Sequence, residues 1–302
     1  MNSAKRSSKG TKRIVRLGGF ALLVGLTAYL VIQSIMAWGF AYLLTHPLCE
    51  RQAETIAGLP PKEKVILVTE DGLEITAWYY PPQHGVLILA LGGTCGALGD
   101  TLPPVKFLLQ AGYGVLQIDS RANASPRGEV TLGGKEVLDI EAGIKFLETR
   151  PEVETIGALG YSMGGVSVIR AAKRHPQISA VVAEGGYYNL GDDITEPGTP
   201  KSIFQQLFLR STAWAFWANS GINPWEISPI DDLPLISPRP VLLIYGEAEA
   251  DSGHAQAQYQ AAKKPKELWI IPGGAHGKNY AVAQAEYERG VLDFFERYLF
   301  DR

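Results

Sequence analysis

The chain has 302 residues, of which 46% are hydrophobic and 20% are charged, and its formal net charge is −3. These are ordinary values for a globular protein, and they exclude collagen-like and intrinsically disordered chains. Its two cysteines, Cys49 and Cys95, are too few for a disulfide framework or a cysteine-rich zinc site.

Positive charge is concentrated at the amino terminus. Residues 1–16 contain six bases and no acid, which leaves 22 bases against 31 acids in the rest of the chain. A negatively charged body argues against nucleic-acid binding, which needs a basic face to neutralise phosphates. The two ends of the protein are therefore expected to face different environments.

Residues 17–45 form an uncharged, strongly apolar segment. A bilayer core takes about 20 apolar residues as helix, whereas a cleavable signal peptide has an apolar region of roughly 7–15 residues and then a small-residue cleavage site. Buried core helices rarely run this long without a charge. The segment is therefore predicted to be a single-pass transmembrane anchor. The positive-inside rule makes residues 1–16 a basic cytoplasmic tail and places the residues from about His46 onward outside the cytoplasm.

After a predicted linker at 46–61, residues 62–302 alternate between β and α patterns and are predicted to form one domain. The first two strands are joined by the turn signal Asp71-Gly72 and should pair antiparallel. Later strands are continuous apolar runs, which is typical of parallel strands buried on both faces. Strands are predicted at 64–69, 73–80, 85–91, 114–119, 155–159, 179–183, 241–245 and 267–271, and helices at 102–110, 135–149, 164–175 and 284–299.

Residues 160–164 read Gly-Tyr-Ser-Met-Gly, a G-x-S-x-G motif between a predicted strand and a predicted helix. A serine on so tight a turn tolerates no bulky neighbour two positions away, which explains Gly160 and Gly164. The motif predicts Ser162 as a nucleophile. The alternative is a glycine-rich loop with a solvent-exposed serine.

A serine hydroxyl is weakly acidic and needs a base, which in turn needs an orienting acid. In this type of fold the chain order is serine, acid, histidine. His276 lies in a glycine-rich loop directly after the last predicted strand, where it can reach the carboxyl edge of the sheet. It is preferred over His254, which begins a predicted helix.

The acid is expected just after strand 241–245, where three carboxylates occupy five positions. Like charges this close disfavour simultaneous ionisation in a buried site, so one of them should point inward. Glu249 is the first choice and Asp251 the alternative. Glu247 is interpreted as solvated or loop-capping.

Two backbone N–H groups are needed for an oxyanion hole. Met163, which follows the nucleophile, should supply one of them. Gly93, in the loop after the third strand, should supply the other, with Thr94 in reserve. Cys95 is interpreted as a small buried residue.

With these motifs the chain resembles the α/β-hydrolase superfamily, and in particular membrane-anchored bacterial BEM46-like or serine aminopeptidase-like hydrolases. The resemblance rests on Thr69-Glu-Asp-Gly72, Leu91-Gly-Gly93, Gly112-Tyr-Gly114, Ile118-Asp-Ser-Arg121, the elbow at Ser162, and His276 with its glycines. It implies a mostly parallel eight-stranded sheet with helices on both faces, a catalytic triad and a helical lid at about 187–238. This chain departs from the family in having Leu91-Gly92 in place of His-Gly, and Glu249 where an aspartate is usual.

The predicted function is hydrolysis of an ester-like acyl bond through an acyl-enzyme, with no cofactor or metal. The expected partners are the membrane and a small acyl substrate, which could be apolar. A peptidase, thioesterase or acyltransferase stays open, as does a non-catalytic anchored binding domain. No carboxylate suited to binding a substrate amine is identified. The aromatic lid segment 203–217 is expected to pack on its own domain, in preference to lining an acyl pocket or touching the bilayer.

Overall fold

The structure, a computed structural model, describes residues 3–49, 61–96, 104–196, 202–250 and 254–300, with side chains from residue 15 onward. Strands are β1 Glu63–Val68, β2 Glu74–Tyr80, β3 Val86–Leu91, β4 Gly114–Ile118, β5 Thr155–Tyr161, β6 Ile178–Glu184, β7 Val241–Gly246 and β8 Lys266–Ile271. Helices are α1 Ser3–Thr45, α2 Pro104–Gln110, α3 Glu136–Leu147, α4 Met163–Arg174, α5 Leu190–Thr195, α6 Ile203–Ser220, α7 Pro229–Asp232, α8 Glu247–Ala250, α9 His254–Ala261, α10 Asn279–Val282 and α11 Gln284–Leu299.

The eight strands form one sheet in the order β1-β2-β4-β3-β5-β6-β7-β8. Strand β2 pairs antiparallel with β1 and β4, and all other neighbours pair parallel. Strands β3, β6 and β7 are largely apolar and are buried along their whole length, as is typical of strands in the interior of a parallel sheet. The predicted α/β-hydrolase fold is confirmed.

Helices cover both faces of this sheet. One core contains apolar side chains of α3, α4 and α9, and the other contains those of α2 and α11. Because β3, β5, β6, β7 and β8 run parallel, their carboxyl ends lie at the same edge of the sheet, and the loops that follow them meet there. The candidate site lies at this edge.

Helix α1 begins at Ser3, within the basic segment, and ends at Thr45. Its stretch Val15–Thr45 is the one described helix long and apolar enough to span a membrane, with a mean hydropathy of 2.0. Gln33, Ala37 and Ala41, spaced four residues apart, are buried, while most of the segment is exposed. The carbonyl of Thr45 accepts a hydrogen bond from Val130 N–H at 2.9 Å. The carboxyl-terminal end of α1 is therefore attached to the domain.

A disulfide joins Cys49, just after α1, to Cys95 in the loop after β3, with the two Cα atoms 5.3 Å apart. Cys95 is exposed. The interpretation of Cys95 as a small buried residue is wrong, because the loop after β3 turns this side chain outward to meet Cys49. The bridge ties the end of α1 to the loop that carries Gly93 and Thr94.

The segment between β6 and β7 contains α5, α6 and α7. The second half of α6 is buried in the domain through Thr212, Ala213 and Phe216, as expected for a lid that packs on its own domain. The first half differs, since Phe204 is 57% exposed and its ring packs edge-on against Tyr29 of α1 at 5.3 Å. This half extends beyond the domain along α1.

Arg121 is buried, with 1% of its side chain exposed. Its Nη2 lies 2.8 Å from Asp139 Oδ1 and its Nη1 lies 3.0 Å from Asp71 Oδ2. Thr69 Oγ1 donates a hydrogen bond to Asp71 at 2.6 Å. Two of the motifs behind the family resemblance are therefore joined in one ion-pair network, which fixes the β1–β2 turn and the loop after β4 to α3.

Replacing Arg121 with Ala is expected to lower the free energy of unfolding by about 3–5 kcal/mol, because two carboxylates lose their buried partner. Urea denaturation followed by tryptophan fluorescence would measure the loss. Arg297→Ala is the matched control, since its ion pair with Glu267 is exposed and should contribute at most about 1 kcal/mol. Equal losses in the two variants would contradict the structural importance of the buried network.

Candidate active site

Ser162 stands at the turn between β5 and α4 with φ 55° and ψ −120°. Among the described non-glycine residues, only Leu132 also has a positive φ. A Cβ atom on Gly160 would collide with the carbonyl of Gly164, and one on Gly164 would collide with the carbonyl of Leu91. Both glycines are therefore required by the turn, as the sequence motif predicts. Such strained backbone is commonly found at functional sites.

Three side chains from separate loops meet in a line at the turn. His276 Nε2 lies 3.0 Å from Ser162 Oγ, and His276 Nδ1 lies 2.7 Å from Glu249 Oε1. Glu249 also accepts the Gly246 N–H at 3.1 Å. His254 is not part of this line, since its Nδ1 lies 3.4 Å from Asp193 Oδ1. The structure thus brings the first-choice serine, histidine and acid together.

The carboxylates after β7 take different positions. Glu249 points toward His276, as described above. Glu247 is exposed and accepts the Gly273 N–H at 2.8 Å, which is the loop-capping role expected for it. Asp251, the alternative acid, lies outside the described residues.

Hydrogen bonding and burial oppose each other in the histidine–glutamate pair. The hydrogen bond to Glu249 raises the pKa of His276 above its usual 6.5, although burial acts against it. Burial acts to raise the pKa of Glu249, but the hydrogen bonds from His276 and Gly246 outweigh it and leave the pKa below its usual 4.5. Glu249 is therefore ionised at neutral pH and can hold the proton on Nδ1, which leaves Nε2 free to accept a proton from Ser162.

The loop after β3 passes beside the serine. A Cβ atom on Gly93 would lie 3.7 Å from the Cβ of Ser162. Thr94 and Met163 line the same cavity as Ser162, and Met163 is the first residue of the twelve-residue helix α4. Helix amino termini favour negative charge. Both predicted oxyanion donors, Gly93 and Met163, thus belong to segments beside Ser162, and so does the reserve residue Thr94.

A cavity of about 660 Å³ opens at the serine, with Ser162, Glu249 and His276 in its wall. This is within the range of about 300–1,000 Å³ typical of small-molecule sites. Most of the remaining wall is apolar, and it includes two residues of α1. The apolar side chains are Phe40, Leu44, Leu132, Leu190, Ile194 and Leu209. The contribution of α1 to this wall is absent from the sequence-based expectations.

Two residues at the end of β6 support the site and were not singled out in the sequence. Gly185 has φ +56°, and a Cβ atom there would lie 3.1 Å from His276 Nδ1 and 3.2 Å from Glu249 Oε1. The buried carboxylate of Glu184 accepts hydrogen bonds from Asn279 Nδ2 at 3.0 Å and Tyr287 OH at 2.6 Å. The Glu184 carbonyl accepts the Ser162 N–H at 2.7 Å. The run Glu-Gly-Gly directly after an apolar strand is the signal that could have identified them.

The cavity also has a polar wall formed by Asp193 of α5 and His254 of α9. Burial raises the pKa of Asp193 to about 7 and lowers that of His254. Asp193 is thus a carboxylate in the same cavity as Ser162, of the kind that the sequence does not identify. The pair Asp192-Asp193, which follows β6 within a few residues, was its local signal in the sequence.

A mostly parallel eight-stranded sheet, with its serine on the turn after β5 and the histidine after β8, is the architecture of α/β hydrolases, and this chain is an α/β hydrolase. The sequence profile of the X-Pro dipeptidyl-peptidase (S15) family matches residues 50–223, more than half of the chain, and the chain belongs to that family. It is thereby a member of a hydrolase family. The narrower resemblance to BEM46-like hydrolases stays a prediction.

Individual relatives are distant. The uncharacterized protein YfhR of Escherichia coli K12 is 24% identical over 245 residues, which cover 77% of this chain and 80% of YfhR. The esterase Pf2001 of Pyrococcus furiosus superposes with a TM-score of 0.64 at 24% identity, covering 82% of this chain and 99% of the esterase. The acylaminoacyl peptidase of Pyrococcus horikoshii gives a TM-score of 0.60 at 22% identity, covering 79% of this chain and 41% of the peptidase. These structural likenesses establish the fold.

Proposed function

We propose that this chain is a serine hydrolase that cleaves an ester-like acyl bond through an acyl-enzyme, with Ser162 as nucleophile, His276 as general base and Glu249 as orienting acid. The observation that carries the proposal is the unbroken line of contacts Ser162–His276–Glu249, at 3.0 and 2.7 Å. Both distances fall within hydrogen-bond reach, which a nucleophile and its base require.

In the first half of the reaction, Oγ of Ser162 bonds to the substrate carbonyl carbon while its proton passes to Nε2 of His276. The N–H groups of Met163 and Gly93, with Thr94 as the alternative to Gly93, stabilise the oxyanion. When the tetrahedral intermediate collapses, the carbon–oxygen bond to the alcohol breaks and the alcohol takes the proton from His276. Water then attacks the acyl-enzyme with the same base, which releases the carboxylic acid and restores the serine hydroxyl.

A peptidase is the second candidate, and Asp193 is the observation that favours it. Its carboxylate lines the cavity that contains Ser162 and could bind the amino group of a peptide substrate. The family to which the chain belongs is described as X-Pro dipeptidyl-peptidase, and one solved relative in fold is named as an acylaminoacyl peptidase. A bound ammonium group would favour the ionised form of Asp193.

A substrate panel separates these candidates. Purified full-length protein in detergent would be assayed with p-nitrophenyl butyrate, a butyryl thioester and dipeptidyl p-nitroanilides. The proposal predicts the highest kcat/KM for the ester. Faster cleavage of an anilide that is lost in Asp193→Asn would instead support the peptidase. Failure of the folded protein to hydrolyse any of them would favour the non-catalytic binding domain.

The pH dependence follows from the state of His276. As a general base His276 must be neutral, and its pKa is raised above 6.5 by the hydrogen bond to Glu249. The kcat/KM for p-nitrophenyl butyrate should therefore fall as the pH drops through that raised pKa, so the acidic limb has an apparent pKa above 6.5. Glu249→Gln removes the cause of the shift and should move the limb to lower pH. A wild-type limb below 6.5 would contradict this assignment.

We also propose that α1 is a single-pass anchor with its amino terminus in the cytoplasm and the catalytic domain outside. Six bases precede the apolar stretch, and the positive-inside rule then orients the helix. The Cys49–Cys95 disulfide suits an oxidising compartment. Protease added to spheroplasts of an expressing bacterium should degrade the catalytic domain. A domain that is degraded only after lysis would contradict the orientation.

A further inference from the structure

The anchor helix forms part of the wall of the cavity that contains Ser162. Phe40 and Leu44 belong to α1, and they line this cavity together with Leu209 of α6. Their spacing of four residues places them on one face of the helix. The neighbouring Leu43 does not line the cavity and is 54% exposed. A helix that served only as a tether would need no defined contact with the site.

Helices α1 and α6 pack side by side over several turns, and together they form one wall of the cavity. Tyr29 packs on Phe204 with ring centroids 5.3 Å apart, and Phe40 packs on Phe208 at 6.4 Å. Gln33, which lies between Tyr29 and Phe40 on α1, donates a hydrogen bond from Nε2 to Ser211 Oγ of α6 at 3.4 Å. The first half of α6 is thus fixed against α1 at the level of Tyr29, within the apolar stretch.

The length of α1 gives the depth of the cavity relative to a bilayer. The uncharged segment 17–45 has 29 residues, or about 44 Å of helix, whereas the hydrocarbon core is about 30 Å thick. With the basic tail held at the cytoplasmic face, the excess of about ten residues emerges at the outer face. Trp38 and Tyr42, both about half exposed, suit that interface. Phe40 and the cavity mouth therefore lie at the level of the outer lipid headgroups.

The exposed side of α6 fits the same placement. Ile203, Phe204 and Leu207 are exposed on its first half, and α6 contains no acid and a single base, Arg210. Trp214 and Trp217 are also exposed, and they stack on each other at 5.3 Å. Apolar side chains at the level of Tyr29 face lipid, and tryptophans are enriched at membrane interfaces.

We infer that the cavity binds the acyl chain of a membrane amphiphile, with Phe40 and Leu44 of the anchor helix as specificity-determining contacts; this inference rests on the proposed serine hydrolase function and names its substrate class. The acyl chain enters from the outer leaflet along the apolar wall that α1 and α6 form, so that its ester bond reaches Ser162 while the tail stays in apolar surroundings. Passage through water would slow entry by about fourfold for each methylene exposed on the way.

Chain-length selectivity tests the two contacts. Full-length protein in lipid nanodiscs would be assayed with p-nitrophenyl laurate and p-nitrophenyl butyrate, and the ratio of the two kcat/KM values compared between variants. Phe40→Ala and Leu44→Ala should each lower the laurate-to-butyrate ratio by about tenfold, because the long chain loses contacts that the short chain does not make. A ratio taken on one preparation does not depend on the fraction of protein that is folded.

Leu43→Ala is the matched control, since it makes the same truncation one residue away, at a side chain that does not line the cavity. It should leave the ratio within about twofold of wild type. An unchanged ratio in both cavity variants would overturn the inference, and so would an equal fall in Leu43→Ala. The proposed function is tested by a separate result. It is upheld if the wild-type protein hydrolyses p-nitrophenyl butyrate and Ser162→Ala does not. A wild-type protein that hydrolyses neither ester would overturn both the proposed function and the inference.

Lateral entry has its own test. A diacylglycerol analogue with one fluorogenic acyl chain would be placed either in the nanodiscs that hold the protein or in separate protein-free nanodiscs. Faster hydrolysis from the shared bilayer is the expected result. Equal rates from the two sources, or no hydrolysis from the shared bilayer by protein that cleaves the laurate ester, would overturn entry from the outer leaflet.

Discussion

Ser162→Ala is expected to lower kcat/KM for p-nitrophenyl butyrate by about 10⁶-fold, and His276→Ala by a similar factor. The two residues are expected to act as a unit, since the proton that leaves Ser162 Oγ passes to His276 Nε2, which lies 3.0 Å from that oxygen. The double variant should therefore be no worse than either single variant. Steady-state rates of the three variants, measured in one detergent, would establish this.

Matched controls come from elsewhere in the same domain. Ser179 is a buried serine at the opposite end of β6, and His175 follows α4. Replacing either with Ala should leave kcat/KM within about twofold of wild type. If Ser162→Ala kept more than about a hundredth of the wild-type rate, the nucleophile would be another group, since a lost nucleophile costs far more.

Glu249→Gln is expected to lower kcat by about 10⁴-fold. The amide preserves the shape of the side chain but removes the charge that stabilises the imidazolium of His276, and it can hold the wrong tautomer of that ring. Because Oε1 of Glu249 lies 2.7 Å from His276 Nδ1, the effect should appear in kcat while the protein stays folded. Rates of purified Glu249→Gln and Asp251→Asn, measured in parallel, decide between the two candidate acids.

Asp251→Asn provides the comparison, since Asp251 is the alternative acid after β7. It should leave kcat within about twofold of wild type. The reverse pattern, in which Asp251→Asn has a strongly lowered kcat and Glu249→Gln has a kcat near that of wild type, would assign the acid to Asp251. Glu249→Asp, which restores the charge on a shorter side chain, should recover part of the loss because the loop after Gly246 must shift to bring it to His276.

The sheet is readable from the sequence because hydrophobic periodicity is a local signal. Strand β3 was predicted at 85–91 and is observed at Val86–Leu91, and β7 was predicted at 241–245 and is observed at Val241–Gly246. The final helix is observed at its predicted bounds, Gln284–Leu299. The antiparallel pairing of β1 with β2 follows from the turn signal at Asp71-Gly72.

The line of Ser162, His276 and Glu249 could be predicted for a different reason. Each residue follows a strand, and parallel strands that end at one edge bring their loops together whatever their separation in the chain. Glu249 was preferred over its neighbours by position alone, and its partner His276 lies 27 residues further on. Their roles in catalysis stay a proposal.

The cavity wall could not be predicted from the sequence, because it depends on packing between residues that are far apart in the chain. Phe40 and Leu209 are far apart in the chain, and they line the same cavity only because α6 lies along α1. The outward turn of Cys95 depends likewise on where α1 ends, and the place of Asp193 depends on the fold of the lid. Local sequence patterns do not encode these contacts. The apolar segment therefore predicts an anchor but does not predict that its residues line the cavity.

Covalent labelling tests the central claim most directly. Full-length protein would be treated with a fluorophosphonate probe, digested, and the modified residue located by tandem mass spectrometry. The proposed mechanism predicts one adduct per chain, on Ser162, lost in Ser162→Ala and strongly slowed in His276→Ala. An adduct on another residue, or no adduct on folded wild-type protein, would contradict the assignment of Ser162 as the nucleophile.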